Sequence, residues 1–430
     1  MKTGWMMVGT LLAGALLAGQ ALAQAPTDRT YLFGHFPSPK LPLDGHYIVS
    51  EDSQYTAQTQ YGINGDAPAA EKYSLGGKPF FFSVDAPEGN YKITVTFGGD
   101  EASDTTVRAE LRRLMVEPVT VPAGKSVTKT FIVNVRTPNL PDGTQVQLKG
   151  PRESVQEGRA WDERITLEFD GKNPQVRTVV VDPIDVPTIY ILGDSTSCDQ
   201  MGEPYTSWGQ MLTAFFKPTV AIANHGESGE SVSASIARKR FDKILSLIKP
   251  GDYFIVQFGH NDMKEKAKDP DAPAKYKAGL IDWATKIKAK GATPIIVTSM
   301  NRRTFVDGKI VNSLEEYPQL AREAAKETGS VLIDLNASSA PLYESFGEDG
   351  SKVLFEHNED FSKVDGTHHS AFGAYELAKL IVQGLKDNHV PVADQVVDGW
   401  KRFDPAHPDK LEDFKVPPSS SFATDKPFGS

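Results

Sequence analysis

The chain has 430 residues, 39% of them hydrophobic, with a net charge of −10 and one cysteine, Cys198. That length implies two domains, each with enough apolar residues for its own core. The negative balance argues against nucleic acid and anionic membrane surfaces, which select Lys/Arg patches; a lone cysteine excludes an intramolecular disulfide and a cysteine-based zinc site.

The N-terminus reads as a targeting segment. Lys2 precedes "WMMVGTLLAGALLAG" and then "ALAQA", a positive region, an apolar region and a small-x-small cleavage site. Residues 1–23 are expected to be a signal peptide cut after Ala23, and no later apolar run is long enough to span a bilayer. An exported chain without disulfides fits a bacterial periplasm or exterior.

Residues 24–186 read as an all-β domain. "HYIVS", "FFFSV", "YKITVTF", "TKTFIVNV", "RITLEF" and "QVRTVVV" are short runs rich in β-branched and aromatic residues. Turn signals such as "PEGN", "PAGK" and "DGKNP" separate them. Strands without crossover helices predict an antiparallel sandwich. This module either binds glycan, with Tyr47, Tyr55, Tyr61 or Tyr91 stacking on sugars, or braces the second domain; aromatics in strands usually serve a core.

From 187 to 395 the rhythm changes to α/β. "TIYIL", "VAIAN", "YFIVQF", "TPIIVTSM" and "SVLIDL" are near-continuous apolar runs, as in strands buried on both faces. Helices are predicted over 207–216, 231–248, 273–290, 314–328 and 371–387, the fourth opened by a Ser313-x-x-Glu316 capping box. The alternation predicts a flavodoxin-like, doubly wound parallel sheet, with ligands at the carboxyl ends of the strands. The polar groups there are Gly193-Asp194-Ser195-Thr196, "NHGESGES" with Gly226 and Gly229, "GHND" with Asn261, "NRRTF" with Arg302 and Arg303, and, after a longer irregular stretch, "VDGTHHS" with Asp365, His368 and His369. A serine nucleophile needs a base and an orienting carboxylate; a developing oxyanion needs N–H donors.

Ser195 in "GDST", Gly229 in "ESGES", Asn261 in "GHND" and His368 in "DGTH", in that order, resemble the four blocks of the SGNH/GDSL hydrolase superfamily. Within it, "SWGQML", "ANHGESGES", "QFGHNDMK" and "DGTHHSAFGAYELA" look most like rhamnogalacturonan acetylesterases, carbohydrate esterase family twelve. The resemblance covers 188 to about 393, and bacterial members often carry an N-terminal β module. It implies Ser195 as nucleophile, His368 as base and Asp365 as its orienter. It also implies an oxyanion hole of the Ser195 N–H, the Gly229 N–H and the Asn261 amide. No cofactor and no metal are implied. "SGES" stands where "GGRS" is commoner, so an arginine contact is missing.

The residues leave rivals. Ser195 could cap a following helix, Ser197 is a neighbouring hydroxyl, Asn261-Asp262 could be a plain turn, and His369 adjoins His368. His260 reads as structural, and His225 and His357 lack metal-ligand spacing. The function implied is an exported esterase removing O-acetyl groups from pectic polysaccharide. The alternatives are an esterase for another acetylated glycan such as xylan, or a catalytically silent carbohydrate-binding protein. Polar strand-end loops favour a sugar over a lipid. Arg302 and Arg303 are candidates to clamp a galacturonate carboxylate. The Pro- and Ser-rich stretch 396–430 reads as an extended tail, either lying on the body or partly disordered.

Overall fold

The computed structural model describes residues 29–34, 45–65, 69–70, 74–421 and 427. The expected signal peptide, residues 1–23, and tail residues 422–426 and 428–430 lie outside them.

In the front half, alternation sets the architecture. Along Gly89–Phe97, Tyr91, Ile93, Val95 and Phe97 are buried, while Lys92, Thr94 and Thr96 between them are only partly so, the period of two that a pleated strand imposes. One sheet has the order Val127–Val135, Gly89–Phe97, Gln175–Pro183, Arg29–Phe33, His46–Val49, with Leu75–Gly76 and Ala69–Ala70 branching from Gln175–Pro183. The other has the order Tyr61–Asn64, Phe80–Asp85, Arg164–Asp170, Ser103–Ala109, Arg113–Val121. Their inner faces share one core that includes Tyr31, Phe33, Phe82, Ile93, Val95 and Phe169. The pairing departs from the antiparallel expectation in one ladder: Arg29–Phe33 and His46–Val49 run parallel.

Strands Ser103–Ala109 and Arg113–Val121 are not evident in the sequence because Arg108, Arg112 and Arg113 make them look solvent-facing. All three arginines are buried, against partners elsewhere in the chain. Of the tyrosines considered for sugar stacking, Tyr91 lies in the core and Tyr47 and Tyr61 pack against it. The guanidinium of Arg164 covers the ring of Tyr55 at 4.6 Å.

The second half is built on a five-stranded parallel sheet. Its strands are Thr188–Gly193, Ala221–Asn224, Tyr253–Gln257, Thr293–Val297 and Val331–Ile333, ordered second, first, third, fourth, fifth. Successive residues feed opposite faces. Ile189, Ile191, Ile255 and Ile295 pack with Trp208, Leu212, Leu377 and Ile381. Tyr190, Leu192, Phe254 and Ile296 pack with Phe241, Leu280, Trp283 and Ala324.

Several helices differ from expectation. The stretch 231–248 is two helices, Val232–Ala237 and Arg240–Leu247, broken where Lys239 takes φ 60°. The helix expected from 314 begins at Tyr317, and Glu316 makes no side-chain cap bond. Pro318 in its first turn favours that later start, and the Glu316 carboxylate goes to Lys266 instead. The stretch read as irregular holds helical structure over Leu335–Gly350, broken at Gly347 with φ 70°, and Asp334 caps its start by accepting from the Ala337 N–H. "VDGTHH" is itself a strand, Val364–His369, paired with Phe355–His357. The tail lies along both halves: Phe414 packs on Phe372 and Tyr375, and Ser419 bonds Glu168 and Glu203.

Candidate active site

The first parallel strand ends at Gly193, where a Cβ would come within 2.5 Å of the Gln257 carbonyl oxygen on the neighbouring strand and 2.2 Å of Ser197 Oγ. Only glycine fits so close an approach. Asp194 then folds the chain back. Its Oδ1 accepts from the Thr196 N–H at 2.9 Å and the Thr196 hydroxyl at 2.7 Å, while its carbonyl accepts from the N–H groups of Ser197 and Cys198. Burial alone would raise the Asp194 carboxyl, but His260 and Thr196 outweigh it and hold it low.

Ser195 stands on this turn and caps no helix, since the next one is Trp208–Leu212, capped by Ser207 with Gln210. Two side chains outside the expected site brace the turn. Gln257 Nε2 donates to Thr196 Oγ1 at 2.9 Å, and Trp208 Nε1 donates to Gln257 Oε1 at 2.7 Å. Both residues lie within the motifs quoted for the resemblance, but no spacing rule marks them as partners.

Ser195 Oγ and His368 Nε2 are 2.8 Å apart. His368 Nδ1 is 3.1 Å from Asp365 Oδ2, so the proton on Nδ1 faces the carboxylate and Nε2 is left to accept from the serine. The three-residue spacing closes this loop on itself: Asp365 Oδ1 accepts from the Thr367 N–H at 2.7 Å and the His368 N–H at 2.9 Å. Burial raises the Asp365 carboxyl, but the ring and N–H of His368 and the N–H of Thr367 win and hold it well below the usual carboxylate range. Ser195 is 3% exposed and His368 2%. The Tyr205 ring meets the His368 ring edge-on at 6.0 Å.

The rivals point elsewhere. Ser197 Oγ turns back to the Asp194 carbonyl at 3.2 Å. His369 Nε2 lies 2.8 Å from the Tyr343 hydroxyl, and burial, aided by His368, pushes its pKa down to about 3. His225 is buried beside Trp161 and held well below its ordinary value by burial and by the charges of Arg136, Lys243, Arg113 and Arg240. His357 stacks on Phe361. Burial likewise lifts the Cys198 thiol, whose Sγ lies 3.7 Å from Ser228 Oγ beneath the serine turn.

Two of the expected donors lie on the loops that follow the second and third parallel strands. Gly229 takes φ 71°, a left-handed conformation that glycine adopts without strain. Asn261 Nδ2 donates to the Glu230 carbonyl at 2.9 Å, which fixes the amide plane and leaves its second N–H over. Asn224 braces the same region, with Nδ2 2.8 Å from the Ser197 carbonyl and Oδ1 accepting from the Gly226 N–H at 3.1 Å.

The two arginines separate. Arg302 Nη2 donates to the His260 carbonyl at 3.2 Å; burial lowers its pKa, while Asp194 and Asp365 act on it in the opposite sense. Arg303 turns away to Ser351 Oγ at 3.1 Å and to the Glu348 carbonyl, and its backbone N–H holds the Gly366 carbonyl at 2.8 Å.

Residues 191–374 match the model of the GDSL-like lipase/acylhydrolase family. The chain is 36% identical over 219 residues to rhamnogalacturonan acetylesterase RhgT of Bacillus subtilis (strain 168), covering 49% of this chain and 94% of that protein. It is 30% identical over 346 residues to the esterase YxiM of the same organism, covering 79% of this chain and 82% of that protein. The crystal structure of YxiM aligns over 85% of this chain and 99% of its own at 25% identity, with a TM-score of 0.47.

Proposed function

The chain belongs to the GDSL-like lipase/acylhydrolase family and is an acetylesterase within it; from that premise we propose that it is an exported serine esterase that removes O-acetyl groups from acetylated rhamnogalacturonan. The observation that carries the reading is the continuous Ser195–His368–Asp365 relay, with contacts of 2.8 and 3.1 Å.

In this reading His368 Nε2 takes the Ser195 proton as Oγ attacks the acetyl carbonyl. The N–H groups of Ser195 and Gly229 and the Asn261 amide stabilise the charge that develops on the carbonyl oxygen, in a buried setting that strengthens each bond. His368 then protonates the sugar oxygen as its bond to the acetyl carbon breaks, releasing the sugar hydroxyl and leaving an acetyl-enzyme. Water, activated by the same ring, releases acetate and frees Ser195. Asp365, kept ionised by its hydrogen bonds, holds the ring and stabilises its charged form. The small exposure of Ser195 suits a two-carbon acyl group. Similarity to RhgT supports the polymer, and the sequence of residues 1–23 supports export.

The test is acetate release from acetylated rhamnogalacturonan, homogalacturonan and xylan by the wild type and by Ser195→Ala. The wild type should work fastest on rhamnogalacturonan, and Ser195→Ala should lose roughly 10⁴-fold or more of the rate with an unchanged melting curve. Residual hydrolysis at near the wild-type rate would remove Ser195 from the chemistry. A preference for xylan would replace the polymer and leave the mechanism standing.

A further inference from the structure

Where the two halves meet beside the oxyanion loop, the contact is ionic. Lys149, in the long connection between strands Val127–Val135 and Arg164–Asp170, pairs with Glu230 Oε1 at 2.7 Å and donates to the Ser228 carbonyl. Arg152 Nη2 reaches Ser228 Oγ at 3.5 Å, and its Nε pairs with Glu157 at 2.7 Å and lies 4.0 Å from Glu227. Glu153 takes Arg240 in a two-point bond at 2.8 and 2.6 Å, and Arg240 Nε lies 3.5 Å from Glu230 Oε2. Ser228, Glu230, Glu153 and Arg240 are all fully buried.

A second ionic contact grips the loop after the nucleophile. Arg112 pairs with Glu203 at 2.5 Å and donates to the Tyr205 carbonyl at 2.8 Å. Arg113 lies 3.3 Å from Asp199 and donates to the Ile222 carbonyl at 3.2 Å.

Bracing alone would be served as well by an apolar seam, which is commonly neutral or stabilising relative to buried ion pairs. What directional bonds add is one fixed geometry, and here they end on the residues either side of Gly229: the Ser228 carbonyl and hydroxyl before it, the Glu230 carboxylate after it. Glu230 also supplies the carbonyl that fixes the Asn261 amide. We propose that Lys149, with Arg152 and Glu153, positions the oxyanion loop, so that the front module completes the active site of the hydrolase half rather than serving only as a separate binding or bracing unit. The inference rests on reading Gly229 and Asn261 as oxyanion donors.

The experiment uses the full chain and 4-nitrophenyl acetate, an ester too small to reach a remote glycan surface. Lys149→Met removes the bond to the Ser228 carbonyl while Arg238 and Arg240, at 3.3 and 3.5 Å, still neutralise Glu230. It should lower kcat roughly tenfold, since small displacements of catalytic donors are costly. KM should stay within about twofold and the melting temperature close to the wild type, and Lys149→Arg should recover most of the rate. Unchanged kcat overturns the proposal. So does a fall in activity that only tracks a loss of folded protein, which would make Lys149 a brace. Asn261→Ala, run alongside, separates the two readings. If it loses about 100-fold in kcat and Lys149→Met loses nothing, positioning fails alone; if it keeps wild-type turnover, the oxyanion reading fails and takes this inference with it.

Discussion

Arg302 and Arg303 leave the fourth parallel strand side by side, and their guanidiniums then go different ways. Arg302 stays beside His260 and within reach of the charges of Asp194 and Asp365. Burial and Arg302 lower the pKa of Lys264 while Asp194 and Asp365 act in the opposite sense, so this end of the sheet carries both signs of charge. Arg302 Nε is buried with no hydrogen-bond partner among the described residues, and a guanidinium can hold a substrate carboxylate by two parallel bonds. Arg302→Ala is therefore expected to weaken hydrolysis of acetylated rhamnogalacturonan about tenfold while sparing 4-nitrophenyl acetate. Arg303→Ala should act on both substrates alike and cost about 1 kcal/mol of stability, because its side chain is occupied by Ser351 and Glu348. Parallel kinetics on the two esters, with a denaturant titration of each variant, decide between them; an Arg302→Ala loss shared equally by both esters would make that residue structural.

At the level of elements, the strand Val364–His369 carries two histidines with opposite environments. Alternation along a strand sends His368 to the site and His369 into the core, against Tyr343 and Phe355. His369 has a folded pKa of about 3, below the ordinary value of about 6.5. Between those values the unfolded chain binds the proton and the folded one does not, so stability is full above about pH 6.5 and falls as pH drops toward 3. His225, also depressed, acts in the same direction. Asp365, with a lowered carboxyl, adds its own loss only below about pH 3.9. His369→Gln keeps an acceptor for Tyr343 and removes one proton site. Its melting temperature should fall less than that of the wild type between pH 7 and pH 4.5; identical slopes would show that His369 takes no part.

For the whole molecule, the tail is a strap. Phe403 is buried, Phe414 packs on the last helix, Ser419 and Ser420 bond Glu168 of the front module, and Ser419 also bonds Glu203 of the hydrolase half. Ending the chain after Lys410 removes the Phe414 and Ser419 contacts. Phe414 is partly buried, so losing its side chain is worth about 1 kcal/mol, and the melting temperature should fall by roughly 2 °C. The folded fraction should still cleave 4-nitrophenyl acetate. An unchanged melting curve with lost activity would instead place the tail's role at the site. The alignment with YxiM is longer than the stretch after the first parallel strand, so that similarity reaches into the front module as well.

Local signals along the chain were enough for the two architectures and for the order of the site residues. Period-two runs and continuous apolar runs are such signals, and so are Gly-Asp-Ser and Asp-x-x-His, whose turns are closed by bonds within three or four residues. Which histidine faces Ser195 was not local: it depends on the side of the strand that meets the sheet. The capping box at Ser313 failed for a related reason, because Glu316 found Lys266 across space and Pro318 set the start of the helix. Strand Arg113–Val121 carries a charge whose counter-ion lies in the other half, where Asp199 meets Arg113. The interface between the halves was the least legible part, since its bonds join residues far apart in the chain, and a charge looks the same in sequence whether its partner is water or a buried carboxylate.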